Sequence, residues 1–362
     1  MKILLLNSIG QNKWGGGEKW MILAAKGLIG NGHEVYIGCR KNSILQQKAV
    51  KANVPVLTFN IKSDFSFTGA YELYKYSRKK SFEIIVGCQN RDIRISGAIK
   101  KIIGSPKVIS RQGVKLLNKT WKYRWFFSPF CDGIITNTYS IKEEYDAYNW
   151  WPEDYVKVIY NGVEINGKNN VVFDFNKYIP QTISNPKIIL SAGRLSHQKG
   201  LNFLIDAAEQ VCKTRDDIFF FIAGKGKLEG KLNKLIHARE LQNRVFLIGF
   251  FNDLTSLFKQ SDLFVLSSLY EGMPNVVMEA MAHHVPVIST DVNGVSELLI
   301  NKESGIVIPP SDSYAISNSI LEFFNEDKHT IIVENAYKRI SELFTVEVMI
   351  KNLEEYFLSK IS

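Results

Sequence analysis

The stretch from residue 188 to residue 200, IILSAGRLSHQKG, contains the pattern that decides the fold. Its first five residues form a short apolar run, as expected for a strand that is buried on both faces of a parallel sheet. A glycine-containing turn with two cations, Arg194 and Lys199, follows, and a helical pattern begins at Leu201. This order of strand, turn and helix predicts one βα unit of an α/β domain.

The same unit recurs along the whole chain. Short apolar runs alternate with helical patterns, which predicts two successive series of βαβ units. The predicted strands are Ile3–Leu6, Val35–Cys39, Val54–Phe59, Ile84–Val86, Val108–Ser110, Gly133–Thr136, Val156–Tyr160, Ile188–Ala192, Phe219–Ala223, Val245–Ile248, Leu263–Leu266, Pro286–Ser289 and Gly305–Ile308. We therefore expect an α/β fold with two doubly wound Rossmann-like domains that face a cleft, with ligands at the carboxyl ends of the strands.

The length of 362 residues suits two domains. We place the first domain at residues 1–165, a polar linker rich in Asn and Lys at residues 166–186, and the second domain at residues 187–343. The opening residues MKILLLN are too short an apolar run for a signal peptide, and they favour a buried first strand. No apolar run approaches the length of a transmembrane helix.

Cysteine and histidine usage limits the classes of protein. The four cysteines, Cys39, Cys88, Cys131 and Cys212, are far apart and form no CxxC pair, which is typical of reduced thiols in a cytoplasmic protein. The six histidines show no metal-ligand spacing, so we expect no metal site and no cofactor.

The net charge of +9 is unevenly distributed. Residues 1–165 contain 25 Lys and Arg against 13 Asp and Glu, and the segment 91–131 has ten basic residues opposed only by Asp92. Such a field favours an anionic partner, which could be phosphate groups, an acidic lipid surface or nucleic acid. The chain contains no nucleic-acid-binding motif, so we expect no nucleic-acid partner.

Two loops are candidate anion sites. Residues 14–18, WGGGE, follow the first strand, and their glycines allow a ligand to approach the free N–H groups of a helix that begins near Glu18. The spacing differs from the dinucleotide fingerprint GxGxxG, which disfavours a Rossmann oxidoreductase. In the second loop, Arg194 and Lys199 precede a helix and suit a diphosphate, whose growing charge they would stabilise as it leaves a sugar.

Residues 270–280, YEGMPNVVMEA, form the strongest local feature. Pro274 is typical of a first helical residue, so we predict a helix from about Asn275 to His283. Glu271 in the loop and Glu279 on the helix could both accept hydrogen bonds from vicinal hydroxyls of a sugar or ribose. A helix-capping carboxylate beside an ordinary exposed Glu would give the same spacing.

Taken together, these segments resemble the family 4 glycosyltransferases, which have the two-domain GT-B fold. The resemblance covers nearly the whole chain and is carried by six segments in order: Gly16–Glu18, Asn31–Val35, Val158–Val163, Gly193–Gly200, Ala223–Gly226 with Leu247–Phe250, and Glu271–Glu279. It implies a retaining, metal-independent transfer of a sugar from a nucleotide-diphosphate donor, taken as a UDP-sugar from its frequency in that family. It also implies that a last helix, at about residues 344–362, packs back on the first, acceptor-side domain.

The resemblance implies a role for each matching residue. Arg194 and Lys199 would bind the diphosphate, and Glu271 would orient the donor sugar and complete the catalytic set. The donor-binding set would comprise Gly16, Gly17, Gly224, Phe250, Met273, Pro274, Asn275 and Glu279. Within it, Glu279 would bind the ribose, and the backbone near Gly224 and Phe250 would receive the base.

Two segments depart from the family pattern. Gln112 occupies the place where many relatives have a His aimed at the donor sugar, so no general base follows from this loop. Arg111 beside it could meet an acceptor phosphate. His283 and His284 stand where a small residue and Gly are usual, and we interpret both as structural.

The acceptor side is indicated by residues 119–127, KTWKYRWFF, which are basic and aromatic. At helical spacing they could lie in a membrane interface and present the enzyme, at the inner face of the cell membrane, to a glycan or lipid-linked acceptor. Packing of Trp121, Trp125 and Phe126 into the core of the first domain is the competing interpretation, and we expect core packing for some of these aromatics and an interfacial role for the remainder. The sequence thus predicts an enzyme of surface polysaccharide, lipopolysaccharide or related glycoconjugate assembly, with a non-catalytic sugar-nucleotide-binding partner subunit as the alternative.

Overall fold

Each predicted apolar run forms a parallel strand in the computed structural model, which describes residues 1–165, 173–325 and 329–361. The first sheet contains β1 (Lys2–Asn7), β2 (Glu34–Cys39), β3 (Val56–Thr58), β4 (Ile84–Gly87), β5 (Lys107–Gln112), β6 (Gly133–Thr136) and β7 (Val156–Val158). The second contains β8 (Lys187–Ala192), β9 (Ile218–Ala223), β10 (Val245–Gly249), β11 (Leu263–Leu266), β12 (Val287–Thr290) and β13 (Ile306–Ile308). The prediction of an α/β fold with two parallel sheets is confirmed.

Helices connect the strands in both series. In the first they are α1 (Gly16–Gly30), α2 (Ile44–Lys51), α3 (Phe67–Lys80), α4 (Asn90–Ile103), α5 (Trp121–Phe126) and α6 (Tyr139–Asp146). In the second they are α7 (Leu201–Thr214), α8 (Glu229–Ala238), α9 (Thr255–Phe258), α10 (Asn275–Ala282), α11 (Val295–Leu298), α12 (Ser313–Asn325) and α13 (His329–Leu343), and α14 (Val346–Ile361) ends the chain.

In both sheets, the side to which successive strands are added changes once. The strand order is β3-β2-β1-β4-β5-β6-β7 in the first sheet and β10-β9-β8-β11-β12-β13 in the second. In each sheet the chain grows outward to one side and then returns to build the other side. The two switch points, β1 beside β4 and β8 beside β11, are therefore the places where loops diverge and leave a crevice at the carboxyl ends.

The residue pattern explains the packing of these elements. Strand β9 has the sequence IFFFIA and is buried at every position, because helices cover both faces of a parallel sheet. Helix α7 buries Leu201, Leu204, Ile205, Ala208 and Val211, which recur at helical spacing on one face. Apolar burial of this kind forms a separate core in each sheet.

The chain divides into two compact units, Met1–Gly162 with Val346–Ser362, and Val163–Thr345. Helix α14 therefore belongs to the first unit, where it packs on α1. The contact is close, because a Cβ atom added at Gly27 of α1 would lie 2.4 Å from Cγ1 of Ile350. The last sixteen-residue helix thus completes the hydrophobic core around β1.

The segment expected to be a linker partly packs on the second unit. Residues 166–172 of that segment lie outside the described residues. After them, Phe173 and Phe175 meet edge to face at 4.9 Å, and Phe175 reaches Phe221 of β9 at 4.5 Å. Tyr178 adds an edge-to-face contact with Phe221 at 5.7 Å. Aromatic burial therefore joins residues 173–178 to the second sheet, although the surrounding composition is polar.

We expect Ile350→Ala to lower the free energy of unfolding of the first unit by about 2–5 kcal/mol, because its side chain is 3% exposed and fills the groove over Gly27. Leu358→Ala on the same helix is the matched control, since Leu358 is 53% exposed and its loss should cost at most about 0.5 kcal/mol. Urea denaturation followed by circular dichroism measures both. Equal losses in the two variants would contradict the docking of α14.

Candidate functional site

Two loops leave the second sheet at its switch point, residues 193–200 after β8 and residues 267–274 after β11. Two hydrogen bonds join them. The N–H of Leu269 donates to the carbonyl oxygen of Gln198 at 2.8 Å, and the hydroxyl of Ser267 donates to the carbonyl oxygen of Lys199 at 2.9 Å. The side chains of the two loops are therefore held at a fixed separation, at the edge where open α/β sheets bind ligands.

Gly200 makes this close approach possible. Its φ angle is +55°, and a Cβ atom at this position would lie 2.2 Å from the carbonyl oxygen of Ser267. Glycine is needed both for the left-handed backbone and for the space. Helix α7 starts at the next residue, so Gly200 also fixes the direction in which that helix leaves the site.

The centre of the site is an ion pair between Lys199 and Glu271. Nζ of Lys199 lies 2.6 Å from Oε1 of Glu271, and the two side chains are only 15% and 9% exposed. Ser268 donates its hydroxyl to the same oxygen at 2.7 Å, and the amide of Gln198 lies 3.4 Å from Oε2. Because it is partly shielded from water, this pair is a stronger positioning contact than a surface ion pair. It joins one residue of each loop.

Arg194 lies on the same loop and is exposed. Within residues 1–165, 173–325 and 329–361 it has no ion-pair partner, so its guanidinium is available to an anion. The loop backbone beside it is firmly held, because the N–H of Leu195 donates to the carbonyl oxygen of Lys225 at 3.1 Å and Leu195 itself is fully buried. An exposed arginine on a rigid loop suits bidentate binding of a diphosphate.

The loops after β9 and β10 continue the same edge. The N–H of Gly224 donates to the carbonyl oxygen of Gly249 at 2.7 Å, and the N–H of Gly193 donates to that of Ala223 at 2.9 Å. A Cβ atom at Gly224 would lie 1.9 Å from the carbonyl oxygen of Gly193, so only glycine fits. Phe250 follows Gly249 directly and is 54% exposed, so its aromatic ring is accessible to a planar partner.

Helix α10 begins directly after the Glu271 loop. It runs from Asn275 to Ala282, and Pro274 occupies the N-cap position instead of the first helical position predicted for it. Met273 before it is buried. The first turn therefore presents backbone N–H groups beside the Glu271 loop, and Glu279 is partly exposed farther along the helix.

The adjacent histidines take part in packing. Nδ1 of His283 lies 2.7 Å from the carbonyl oxygen of Glu279, and its ring stacks on Phe258. His284 stacks on Tyr337 with ring centroids 4.0 Å apart. In the part of the chain that the structure describes, no group of three or more His, Cys, Asp or Glu side chains is arranged to hold a metal ion.

The first unit places a buried cation beside its glycine turn. Helix α1 begins at Gly16, and a Cβ atom added at Gly17 would lie 3.6 Å from Nη1 of Arg111. Arg111, at the end of β5, is 8% exposed, donates from Nη2 to Oδ1 of Asn161 at 2.9 Å and lies over the Trp20 ring at 4.6 Å. Burial lowers the pKa of its guanidinium from the usual value.

A second buried charge lies at the switch point of the first sheet. Asp92, on the first turn of α4 after β4, accepts hydrogen bonds on Oδ2 from the N–H groups of Ser8 and Gln89 at 3.2 and 3.1 Å. Burial raises the pKa of its carboxyl group to about 6 despite these hydrogen bonds. The carboxylate thereby ties the loop after β1 to the start of α4, while Arg91 donates to the hydroxyl of Ser8 at 2.6 Å.

Gln112 is fully buried inside the first unit. Its amide donates to the hydroxyl of Ser110 at 3.0 Å, and its carbonyl oxygen accepts from the hydroxyl of Tyr145. Both polar ends of Gln112 therefore have protein partners. Its expected role at an acceptor stays a prediction, and direct contact with a ligand would require it to exchange one of these partners.

Comparison with known proteins matches two sequence families in succession. Residues 14–166 match Glycosyltransferase Family 4, and residues 173–339 match Glycosyl transferases group 1. The uncharacterized glycosyltransferase MJ1059 of Methanocaldococcus jannaschii is 30% identical over 75% of this chain and 68% of its own length. The chain belongs to the family 4 glycosyltransferases.

Other similar proteins carry more specific names. The UDP-Gal:alpha-D-GlcNAc-diphosphoundecaprenol alpha-1,3-galactosyltransferase of Escherichia coli is 24% identical over 85% of this chain and 83% of its own length. A crystal structure of Anabaena Alr3699/HepE in complex with UDP aligns with a TM-score of 0.83 at 21% identity, over 99% of this chain and 100% of that one. The match covers as little as 56% of the length of one curated relative.

Within this glycosyltransferase, the second-unit match contains Arg194, Lys199, Glu271 and Glu279, and the first-unit match contains Gly16, Gly17 and Arg111. Sequence reasoning missed the support that Ser268 and Gln198 give to Glu271, because neither residue type marks such a role. The acceptor-phosphate contact suggested for Arg111 stays a prediction, and sequence reasoning did not show that Arg111 packs against Trp20 and beside Gly17. Only long-range folding could reveal that packing.

We expect Gly200→Ala to lower the free energy of unfolding of the second unit by about 2 kcal/mol or more, because the added Cβ meets both an unfavourable φ angle and the Ser267 carbonyl oxygen. Gly230→Ala is the matched control: no atom lies within 4 Å of its added Cβ, it lies in α8, and alanine there should raise stability by up to about 1 kcal/mol. Differential scanning calorimetry of both variants measures the effect. A neutral Gly200→Ala would contradict the close packing of the two loops.

Proposed function

We propose that this glycosyltransferase takes a sugar from a nucleotide-diphosphate donor, a UDP-sugar, that binds at the carboxyl edge of β8 to β11. The observation that carries the proposal is the shielded pair of Lys199 and Glu271 with the exposed Arg194 on the same loop. Two cations and a carboxylate on fixed backbone match a donor whose diphosphate is anionic and whose sugar carries hydroxyl groups. Anabaena HepE, which has the same fold, was crystallised with UDP.

The two cations would act on the leaving group. As the bond between sugar and diphosphate breaks, negative charge grows on the diphosphate, and Arg194 and Lys199 would stabilise it more strongly than in the ground state. Glu271 holds the ammonium group of Lys199 in place at 2.6 Å, so little reorganisation is needed during reaction. Because these cations supply the neutralising charge, we propose a reaction that needs neither a metal nor another cofactor.

The remaining donor groups would bind along the same edge. The Phe250 ring, 54% exposed beside the Gly224 turn, could stack on the base, and Glu279 could accept from the ribose hydroxyls. The N–H groups of the first turn of α10, which begins at Asn275 directly after Met273 and Pro274, could orient the sugar. In the first unit, Gly16, Gly17 and the buried Arg111 form a second cationic element that suits an anion.

We further propose that the transfer retains the anomeric configuration by attack on the face that the leaving group vacates. A covalent route needs a carboxylate free to act as nucleophile. Oε1 of Glu271 already accepts from Lys199 and Ser268, and Oε2 faces the amide of Gln198. These contacts favour hydrogen bonding to the donor sugar as the role of Glu271.

The acceptor is proposed from the relatives and from charge. The Escherichia coli relative is named for a diphosphoundecaprenol acceptor, and the excess of basic residues in 1–165 suits an anionic partner. We propose a glycan or lipid-linked acceptor of surface polysaccharide, lipopolysaccharide or related glycoconjugate assembly, used at the cytoplasmic face of the membrane. None of the described helices is both long and apolar enough to cross a bilayer. We propose that contact with that membrane is peripheral.

The donor is tested by thermal unfolding with a panel of nucleoside diphosphates and sugar nucleotides. A bound donor at about one hundred times its dissociation constant should stabilise the protein by about 2.7 kcal/mol. Arg194→Ala or Lys199→Ala should weaken binding by about 10- to 100-fold, since each removes a charge-assisted hydrogen bond, and at the same ligand concentration should reduce the stabilisation to about 1.4 to 0.4 kcal/mol.

Lys213→Ala is the matched control for these two variants. Lys213 lies in the same unit, its side chain is 69% exposed, and it pairs with Glu209 four residues earlier. It should keep the full nucleotide shift. If Arg194→Ala and Lys199→Ala kept it as well, the diphosphate assignment would be wrong.

Glu271 and Glu279 should differ in kinetic effect. Glu271→Ala should lower kcat by about 100-fold or more while changing UDP affinity much less, because its proposed contacts are with the reacting sugar. Glu279→Gln should instead raise KM for the donor with a smaller change in kcat. Release of UDP from UDP-sugars measures both. Tight donor binding without any release by the unaltered chain would favour the non-catalytic partner subunit.

A further inference from the structure

Three aromatic side chains project from helix α5 into solvent. Trp121 is 65% exposed, Trp125 69% and Phe126 56%, and the rings of Trp121 and Phe126 lie 6.2 Å apart. The next residue, Phe127, is fully buried in the core of the first unit, and Tyr123 packs against that core. Phe127 and Tyr123 are therefore the aromatic side chains that this segment contributes to the core. The rings of Trp121, Trp125 and Phe126 remain exposed on the surface.

Cations surround these rings. Residues 114–127 contain no Asp or Glu, and Lys119, Lys122 and Arg124 are exposed. Among the residues that the structure describes, Lys122 and Arg124 form no ion pair. Lys115 is paired with Glu144 of α6, and Lys119 donates to the carbonyl oxygen of Ala147 at 3.0 Å. Val114, 54% exposed, adds apolar area.

We propose that this docking surface, formed by Val114, Lys119, Trp121, Lys122, Arg124, Trp125 and Phe126, rests in the interface of an anionic membrane. Tryptophan prefers the boundary between headgroups and acyl chains, because one end of its ring system is apolar and the other can donate a hydrogen bond. Lys and Arg beside it are attracted to anionic headgroups. The proposal concerns the first unit and does not depend on the donor.

The charges favour a membrane over a second copy of this chain. A symmetric contact between two copies through this surface would bring Lys122 and Arg124 of each copy close to those of the other, and like charges at an interface repel. The centres of protein interfaces are depleted of lysine, whereas membrane-bound amphipathic segments combine Trp and Phe with Lys and Arg. Because residues 114–127 combine exposed aromatic rings and cations without an acidic residue, this segment matches an anionic lipid surface.

The test is sedimentation of the full chain with vesicles of phosphatidylcholine alone or mixed with phosphatidylglycerol. We expect binding to the mixed vesicles that weakens as salt is raised, because screening acts on exposed charges. Lys122→Gln with Arg124→Gln should weaken that binding by about 30-fold, from about fivefold per charge. Trp121→Ala with Trp125→Ala should weaken it by about tenfold or more.

Phe65→Ala with Phe67→Ala is the matched control, since both rings are 79% exposed in the same unit but lie outside the docking surface. This control variant should bind the vesicles like the unaltered chain. The midpoint of thermal unfolding should be unchanged in the control and in the charge and tryptophan variants. No binding to the mixed vesicles, unchanged binding of the tryptophan variant, or an equal loss in the phenylalanine control would each overturn the proposal.

A spectroscopic readout reports insertion directly. Lipids brominated on the acyl chains should quench the fluorescence of Trp121 and Trp125, and Trp121→Phe with Trp125→Phe should lose that quenching while keeping most of the binding.

Analytical ultracentrifugation of the unaltered chain and of the variant with both Trp121→Ala and Trp125→Ala tests whether a second copy of this chain, instead of a membrane, occupies the docking surface. A dimer of the unaltered chain that this variant abolishes would show a second copy on the surface and overturn the membrane proposal.

Discussion

The contact between Lys199 and Glu271 depends on the switch point of the second sheet. β8 and β11 are neighbours in space but are separated in sequence by the strands β9 and β10 and the helices α7, α8 and α9, so their loops meet only when the sheet is complete. Gly200 allows the approach, and backbone hydrogen bonds hold it. The ion pair then places a cation and a carboxylate where a parallel sheet opens to ligands. The rest of the site is arranged along the same edge.

The first unit has buried charged side chains at the carboxyl edge of its sheet. Arg111 is buried against Trp20 and beside the glycine turn of α1, and Asp92 is buried at the start of α4. Both groups lie at carboxyl ends of strands, where backbone N–H groups and buried charges determine which ligand charges are tolerated. Burial favours the neutral form of both groups, so it lowers the pKa of Arg111 and raises the pKa of Asp92. In the second unit, by contrast, Arg194 is exposed.

The excess of basic residues in 1–165 therefore serves more than one purpose. Arg111 is part of the interior, Lys115 pairs with Glu144, and Lys122 and Arg124 surround exposed aromatic rings. A count of charges shows only that an anionic partner is favoured. The burial and the ion pairing of each side chain show which of those charges are still available to an anionic partner.

The sequence by itself determined the two series of βαβ units, because buried parallel strands need continuous apolar runs and the connecting helices need a periodic face. It also located the loops with Arg194, Lys199, Glu271 and Glu279, because glycines and prolines mark the ends of these elements in the chain. Only the tertiary structure decided that Lys199 meets Glu271 and that Arg111 lies beside Gly17. It also decided that Gln112 is enclosed by Ser110 and Tyr145, and that Phe127 is buried while Trp121, Trp125 and Phe126 are exposed. These outcomes depend on contacts between residues far apart in the chain, and on which of several similar side chains the packed core has room for.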